Sequence, residues 1–362
     1  MIFNSFFVLI IIVIYIIIFL SKKMSKEIRN KLFLIISFSI IFFLMATRTY
    51  NTGTDTNMYI QVFKKSSQLK WKATIFGGYY EPLYAVLNIL LSYISTNPRI
   101  LIVFTSFFIS YSFYKFIKDN SEDYFLSIIM FICLLIFYST MNTIRQYIAM
   151  SIILLGFDFV KEKKIIPYIM IVVVACLFHT SAFIGFLIYT AFNMKYSRFR
   201  VTIIFVIAIL SNIFISGLVN HIYELLDRTN YYNNRIGQEN ISNLIHVFIF
   251  LFMYMFSLFE IKKNKSNNEK NGFYLYIFVL ASAFSLIAMK MNVLSRTTTY
   301  FNIFTIVCLP NIIAENIDNK NTKLFVASTL VLILLIYSST IMYYRPEWNT
   351  AFNYHSCIFS DE

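Results

Sequence analysis

The chain has 362 residues, of which 58% are hydrophobic and 14% charged, with a formal net charge of +13. A water-soluble chain carries roughly 25% charged residues, so the composition excludes a soluble globular protein. It also excludes nucleic-acid binding, because the basic residues sit in short loops between apolar blocks, as in membrane proteins, and form no basic face.

Phe and Tyr, 40 and 26 in number, suit lipid-facing and interfacial positions. The expected fold class is therefore all-α: a polytopic integral membrane protein of about 10–12 transmembrane or re-entrant helices in one bundle. Residues 1–21 form an uncharged run with Lys22 and Lys23 after it. A signal peptide has its positive charge before the apolar run and a small-residue cleavage site after it, so a retained transmembrane helix is expected.

Uncharged blocks long enough or nearly long enough to cross follow at 32–47, 100–114, 124–144, 146–157, 201–220, 243–259, 273–289, 297–314 and 324–344. With the first block they predict about ten spans. Block 82–96 is short and reads as re-entrant or interfacial. Block 165–194 is uncharged throughout, and as one helix it would run about 45 Å, too long for one crossing and too short for two. Its middle holds His179-Thr180-Ser181, and basic residues flank both ends. A re-entrant pair of half-length helices with His179 at the turn fits both facts.

The whole chain, 1–362, reads as a single transmembrane domain. Placing the basic loop 21–31 in the cytoplasm puts loop 48–81 and a second loop, 221–242, on the outer face, with a modest inward excess of Lys and Arg. Arg48, Asp55, Glu81, Arg145, Arg296 and the segment 345–362 then gather at the outer face, with His179 at or below it.

Five polar motifs stand out from this apolar background, and each has two readings. In Arg48-x4-Gly53-x-Asp55-x3-Tyr59, the planar Arg48 fork matches phosphate oxygens and Asp55 is a base or an orienting group. Alternatively the turn is a capped interface, with Asp55 as a helix cap. Glu81-Pro82 carries helix-start chemistry and also a carboxylate at the head of a membrane-entering helix, which suits catalysis or hydroxyl binding. Arg145-Gln146 lies between apolar runs, where an arginine marks either a site or an interhelix bridge. His179 marks a helix break that must line protein or a cavity, or it is a packed core histidine. Arg296, with Tyr300 four residues on, opposes the helix macrodipole. A bound anion would resolve that conflict, and an anchor to lipid phosphate is the other reading. The four cysteines have no disulfide or metal-site spacing, so no metal and no cofactor are expected.

Taken in order, Arg48…Gly53-Thr-Asp55…Tyr59…Phe63, Glu81-Pro-Leu-Tyr84, Ile144-Arg145-Gln146-Tyr-Ile-Ala149, Phe178-His179-Thr-Ser181-Ala182 and Leu294-Ser-Arg296…Tyr300-Phe301 resemble the EpsG-type branch of the Wzy-like bacterial polysaccharide polymerases. The segment Tyr354-His-Ser-Cys-Ile358-Phe359 resembles that family's ending more weakly. Polymerases of other branches carry a large arginine-rich outer loop. Here the outer loops are modest, and the charge would come from Arg48, Arg145 and Arg296.

The resemblance implies a glycosyltransferase of the bacterial inner membrane that joins polyprenyl-diphosphate-linked oligosaccharide repeats at the outer face, for O-antigen, capsule or exopolysaccharide. Membrane lipid is the surrounding partner, and the scheme leaves room for a chain-length regulator and a flippase. Glu81, Asp55 and His179 are the expected catalytic groups. Arg48, Arg145, Gln146, Arg296, Tyr59 and Tyr300 are the expected diphosphate- and glycan-binding groups. Two other classes remain open: a flippase or transporter of lipid-linked oligosaccharide, and a membrane acyltransferase modifying the glycan.

Overall fold

A computed structural model describes residues 2–21, 24–66, 80–225, 241–263, 269–290 and 294–358. Sixteen α-helices account for most of these residues, and the only β-pairing among them is an isolated antiparallel bridge between Arg48 and Ser356. Lys22 and Lys23, Lys70 and Lys72, Gly77 and Gly78, and Arg228 and Arg235 lie outside the described residues. So do residues 67–79 of the first expected outer loop and most of the second.

Seven helices are long and apolar enough to cross a membrane: α1 (Ile2–Leu20), α2 (Lys26–Ala46), α5 (Arg99–Asn120), α13 (Ile241–Lys263), α14 (Glu269–Ala288), α15 (Ser295–Asn316) and α16 (Lys320–Tyr344). Together with the long α12 (Arg198–Leu225) and the shorter apolar helices below, they make an all-α, multi-pass membrane protein.

Two expected spans are not single straight helices long enough to cross. Block 124–144 divides into α6 (Tyr124–Cys133) and α7 (Ile136–Asn142), bent by 54°. The break is at Leu135, whose φ of 63° is left-handed. That conformation costs an L-residue roughly 1–2 kcal/mol, and no Gly or Pro advertises it in the sequence. Block 146–157 becomes α8 (Ile144–Leu155), 12 residues long. At about 18 Å it is too short to cross a core of about 30 Å. Block 165–194 breaks where His179 predicts: α10 (Ile165–Cys176) ends just before it, and a 3₁₀ turn (Thr180–Gly185) and α11 (Phe186–Asn193) follow. The remaining short helices are α3 (Thr56–Ser66), α4 (Pro82–Ile94) and α9 (Phe157–Lys161).

The helices fall into two compact units, one made of residues 1–159, 166–183 and 324–362 and the other of 160–165 and 184–323. In the first, α2 and α8 both pack on α5, and Phe113 meets Phe131 with ring centroids 4.8 Å apart. A buried polar relay joins α1, α7 and α16: Tyr138 OH donates to Asn4 Oδ1, and Asn4 Nδ2 donates to Ser338 Oγ, each at 3.0 Å. In apolar surroundings each of these groups would be costly to leave unpaired. In the second unit α14 is central, packed by α11, α12, α13 and α15. Large apolar side chains such as Phe107, Phe248 and Phe325 remain exposed on helix surfaces, as lipid-facing positions require.

Candidate functional site

The site is built around Glu81, the residue preceding α4. Its backbone is extended, with φ −60° and ψ 143°, and its side chain makes no capping bond to its own helix. Pro82 supplies the first helical position, where no N–H is needed. The next donor, Leu83 N, is satisfied by Leu177 O at 3.0 Å. That bond holds the break between α10 and the 3₁₀ turn against the head of α4, and so brings His179 to Glu81. His179 Nδ1 lies 3.0 Å from Glu81 Oε1, and Thr180 N donates to the same oxygen at 3.4 Å.

The other carboxylate oxygen, Oε2, accepts from Arg145 Nη1. Arg145 is the second residue of α8, at the positive end of the macrodipole, and Glu81 supplies the anion that this position requires. Three tyrosine rings face the Arg145 guanidinium: Tyr80 at 4.9 Å, and Tyr59 and Tyr84 at 5.8 Å each. Tyr59 and Tyr84 also meet edge to face at 5.8 Å. Phe63, Leu101, Ile144 and Ile148 pack behind them as one buried cluster. The side chains of Glu81, Arg145 and His179 are 13%, 17% and 8% exposed.

Burial pushes the Glu81 carboxyl up, but the His179 hydrogen bond and the Arg145 charge outweigh it and hold the group down at about 2. At neutral pH Glu81 is therefore a carboxylate and an acceptor only. A carboxylate beside Nδ1 selects the imidazole tautomer with hydrogen on that nitrogen. Nε2 is then left with its lone pair, which is the arrangement of a general base oriented by an acid.

The first unit brings together Glu81, Arg145, His179 and Tyr59. Gln146, the next residue along α8, is buried. Asp55 opens α3: its carbonyl accepts from Tyr59 N at 3.1 Å and its N–H donates to Asn142 Oδ1 at 3.1 Å. It thus sets the helix that carries Tyr59.

Arg48 is placed differently. It is 1% exposed, and its guanidinium donates to Met45 O at the end of α2 and to Ser106 Oγ on α5. Burial first and Arg99 second pull it down to about 9, which leaves it charged at neutral pH. Arg99 donates to Arg48 O and lies over the Tyr50 ring at 4.6 Å. Both arginines thus meet the negative end of α2. Arg296 and Tyr300 belong to α15 in the second unit, where Arg296 is exposed and Tyr300 fully buried. Among the described residues no three His, Cys, Asp or Glu side chains gather as a metal site would need.

Tyr80, Tyr84 and Arg99 are not among the catalytic and binding groups expected from sequence, although Tyr84 closes the Glu81-Pro-Leu-Tyr84 motif. Tyr80 and Tyr84 flank Glu81 at the previous position and one helical turn on, a signal a search around the carboxylate would have found. Arg99 follows Pro98 at the start of α5 and looks like an ordinary interfacial cation.

Fold and site together define a multi-pass membrane protein with a largely enclosed Glu–Arg–His constellation, built on an ionised carboxylate and lined by tyrosine. The chain belongs to the EpsG family, whose model matches residues 31–356, a range that includes every candidate site residue from Arg48 to Tyr300. EpsG is a Wzy-like polysaccharide polymerase family, so this is a polysaccharide-polymerase-like membrane protein. No curated protein and no solved structure matches the chain.

Proposed function

We infer that the protein is a membrane glycosyltransferase that polymerises polyprenyl-diphosphate-linked oligosaccharide repeats at the outer face of the bacterial inner membrane. The observation that carries the reading is the Glu81 carboxylate, held on one side by Arg145 and on the other by His179. An ionised carboxylate aimed at Nδ1 of a histidine is the arrangement that takes a proton from a hydroxyl.

In this mechanism His179 Nε2 removes the proton of the acceptor sugar hydroxyl. The hydroxyl oxygen bonds to the donor's anomeric carbon, and the bond from that carbon to the diphosphate oxygen breaks. The electron pair leaves on the diphosphate, and no nucleotide is consumed. Glu81 orients His179 and stabilises the imidazolium formed. Its low pKa makes it a poor base in its own right, so of the expected catalytic groups Glu81, Asp55 and His179 the base role goes to His179. Arg145 fixes Glu81, and its charge, which one carboxylate does not confine, adds to the field on developing negative charge.

Tyr59 and Tyr80 offer aromatic faces suited to a sugar ring. Asp55 and Gln146 support these groups, and Arg48 acts as a helix-end cap. Arg296, exposed on α15 in the second unit, is assigned the meeting of an anionic group, while the fully buried Tyr300 packs that helix.

The test compares surface glycan in cells carrying the wild-type chain, a deletion, and Glu81→Ala or His179→Ala at matched protein levels. A polymerase deletion displays single repeats, and the two variants should match it. Absence of any surface repeat points to a flippase instead. Full-length glycan lacking an acyl group points to an acyltransferase. Long chains in either well-expressed variant would remove that residue from the mechanism.

A further inference from the structure

The segment after α16 folds back on the first unit, and its polar groups meet two stretches that lead directly into the site. Thr49 N donates to His355 O at 2.9 Å and Cys357 N to Thr47 O at 2.8 Å, making the bridge between Arg48 and Ser356. Thr52 Oγ1 donates to His355 O at 3.3 Å. Tyr354 OH donates to Leu44 O at 2.9 Å and lies 3.2 Å from Thr47 Oγ1. The Tyr354 ring stacks on Phe3 with centroids 4.6 Å apart.

The same segment reaches α7. Phe352 is buried and meets Tyr138 edge to face at 5.5 Å. Beyond Thr143, α7 gives way to α8 and Arg145. The turn 47–54 gives way to α3 and Tyr59, and the start of α3 is bonded to the end of α7. Thr56 Oγ1 donates to Met141 O at 3.2 Å, and Asp55 N donates to Asn142 Oδ1.

Tyr59 and Arg145 thus arrive from two strands of chain that the same 13-residue stretch, 345–357, holds at once. We propose that this segment is a positioning clasp, which sets Tyr59 and Arg145 on the Glu81 carboxylate without touching substrate. The proposal rests on the polymerase reading only for its effect on glycan length. Its structural content stands apart.

Three features make it specific. The bonds at Thr47, Thr49 and His355 are backbone bonds, so they depend on conformation more than on side-chain identity. The hydrogen-bonding side chains named above, those of Tyr354 and Thr52, act through single hydroxyls, while the Tyr354 and Phe352 rings supply packing. The groups that would respond are those facing Glu81 from each neighbouring element: Arg145 on α8, His179 and the Thr180 N–H at the break after α10, Tyr59 on α3, and Tyr80 and Tyr84 at the head of α4.

The experiment uses the full chain and Tyr354→Phe, Thr52→Val, the double variant and His355→Ala, with a chain ended after Tyr344 as the extreme case. Two quantities are read: surface glycan length at matched protein level, and the melting temperature of the detergent-solubilised protein from neutral pH down to about pH 3. The double variant should lose long glycan on the order of tenfold. Its acid decline in melting temperature should begin at higher pH than in wild type, because a displaced Arg145 no longer holds the Glu81 carboxyl down. His355→Ala keeps the backbone bonds and should match wild type in both.

A lower melting temperature at every pH with an unmoved acid limb would reduce the segment to general support and overturn the proposal. So would unchanged behaviour of the double variant. If the truncated chain does not accumulate, the point variants decide. If wild type itself lengthens no glycan, the polymerase reading fails, and the acid limb alone still judges the clasp.

Discussion

Arg145 and Arg48 both stand at helix ends in the first unit, and both are largely withdrawn from solvent, yet they are held in different ways. Arg145 sits at the start of α8, where the helix dipole repels it, and is balanced by a carboxylate and three aromatic rings. Arg48 sits just past the end of α2, where the dipole attracts it, and donates to the neutral acceptors Met45 O and Ser106 Oγ. The first arrangement works against local preference and needs a distant partner. The second follows local preference. Local conflict resolved by a partner far along the chain is the pattern of a site, whereas local agreement is the pattern of a cap.

If that contrast is right, breaking the Glu81 side should have the largest effect. Glu81→Gln keeps the shape and removes the charge, leaving Arg145 buried without its anion and His179 without its orienting acid. Loss of the acid that orients a base histidine lowers the rate by up to about 10⁴ in a Ser-His-Asp triad, so a fall in activity of at least about a hundredfold is expected. Surface glycan should collapse to single repeats, read on a gel at matched protein level. Retention of the wild-type ladder would remove the carboxylate from the mechanism.

Next in size is Arg145→Lys. A lysine ammonium is a compact point charge and cannot present a planar face to three rings or a fork to a carboxylate. A loss of about tenfold to a hundredfold in chain extension is expected. The variant also carries a pH signature. In wild type the Glu81 carboxyl lies near 2, below its ordinary value. Its contribution to stability is therefore present above the ordinary carboxylate range and fades as pH falls toward 2. Weakening the Arg145 contact raises the folded-state value, so the acid decline in melting temperature should begin at higher pH. An acid limb identical to wild type would show that Arg145 does not set the carboxylate.

The two regions also differ in how far the sequence discloses them. The long apolar helices follow directly from uncharged blocks, and the break near His179 follows from a block of the wrong length. Glu81, Arg145 and His179 are visible as polar residues in apolar surroundings. Their union is not, since 64 and 98 residues separate the partners and no local rule specifies contacts at that range. The bend at Leu135 is hidden because tertiary packing imposes a left-handed leucine. Arg48 is hidden in another way: an arginine after a span reads identically as phosphate ligand, headgroup anchor or helix cap. Only the acceptors around its guanidinium separate these.

Between the two arginines in expected effect lies Gly53. Its φ of 97° is left-handed, and a Cβ there would fall 2.4 Å from Met141 O and 2.6 Å from Thr56 Oγ1. Gly53→Ala should cost about 1–3 kcal/mol and push the turn 47–54 away from α7. Because that turn leads to Tyr59 and α7 leads to Arg145, chain extension should fall more than protein abundance does. Equal losses in the two would mean that the turn serves stability alone.

Arg48→Leu is the sharpest test of the contrast, because here a buried charge close to the site is expected to matter least for chemistry. Its hydrogen bonds to Met45 O and Ser106 Oγ are charge-assisted, and losing them should cost roughly 2 kcal/mol of stability. Removing the charge also relieves its repulsion with Arg99, which returns part of that loss. A lower melting temperature with chain extension within about threefold of wild type is therefore expected, and Arg48→Met should behave alike. If either variant instead stops polymerisation while the protein stays abundant and thermally unchanged, Arg48 is a substrate ligand. The cap seen at the end of α2 would then be a resting arrangement that the lipid diphosphate displaces.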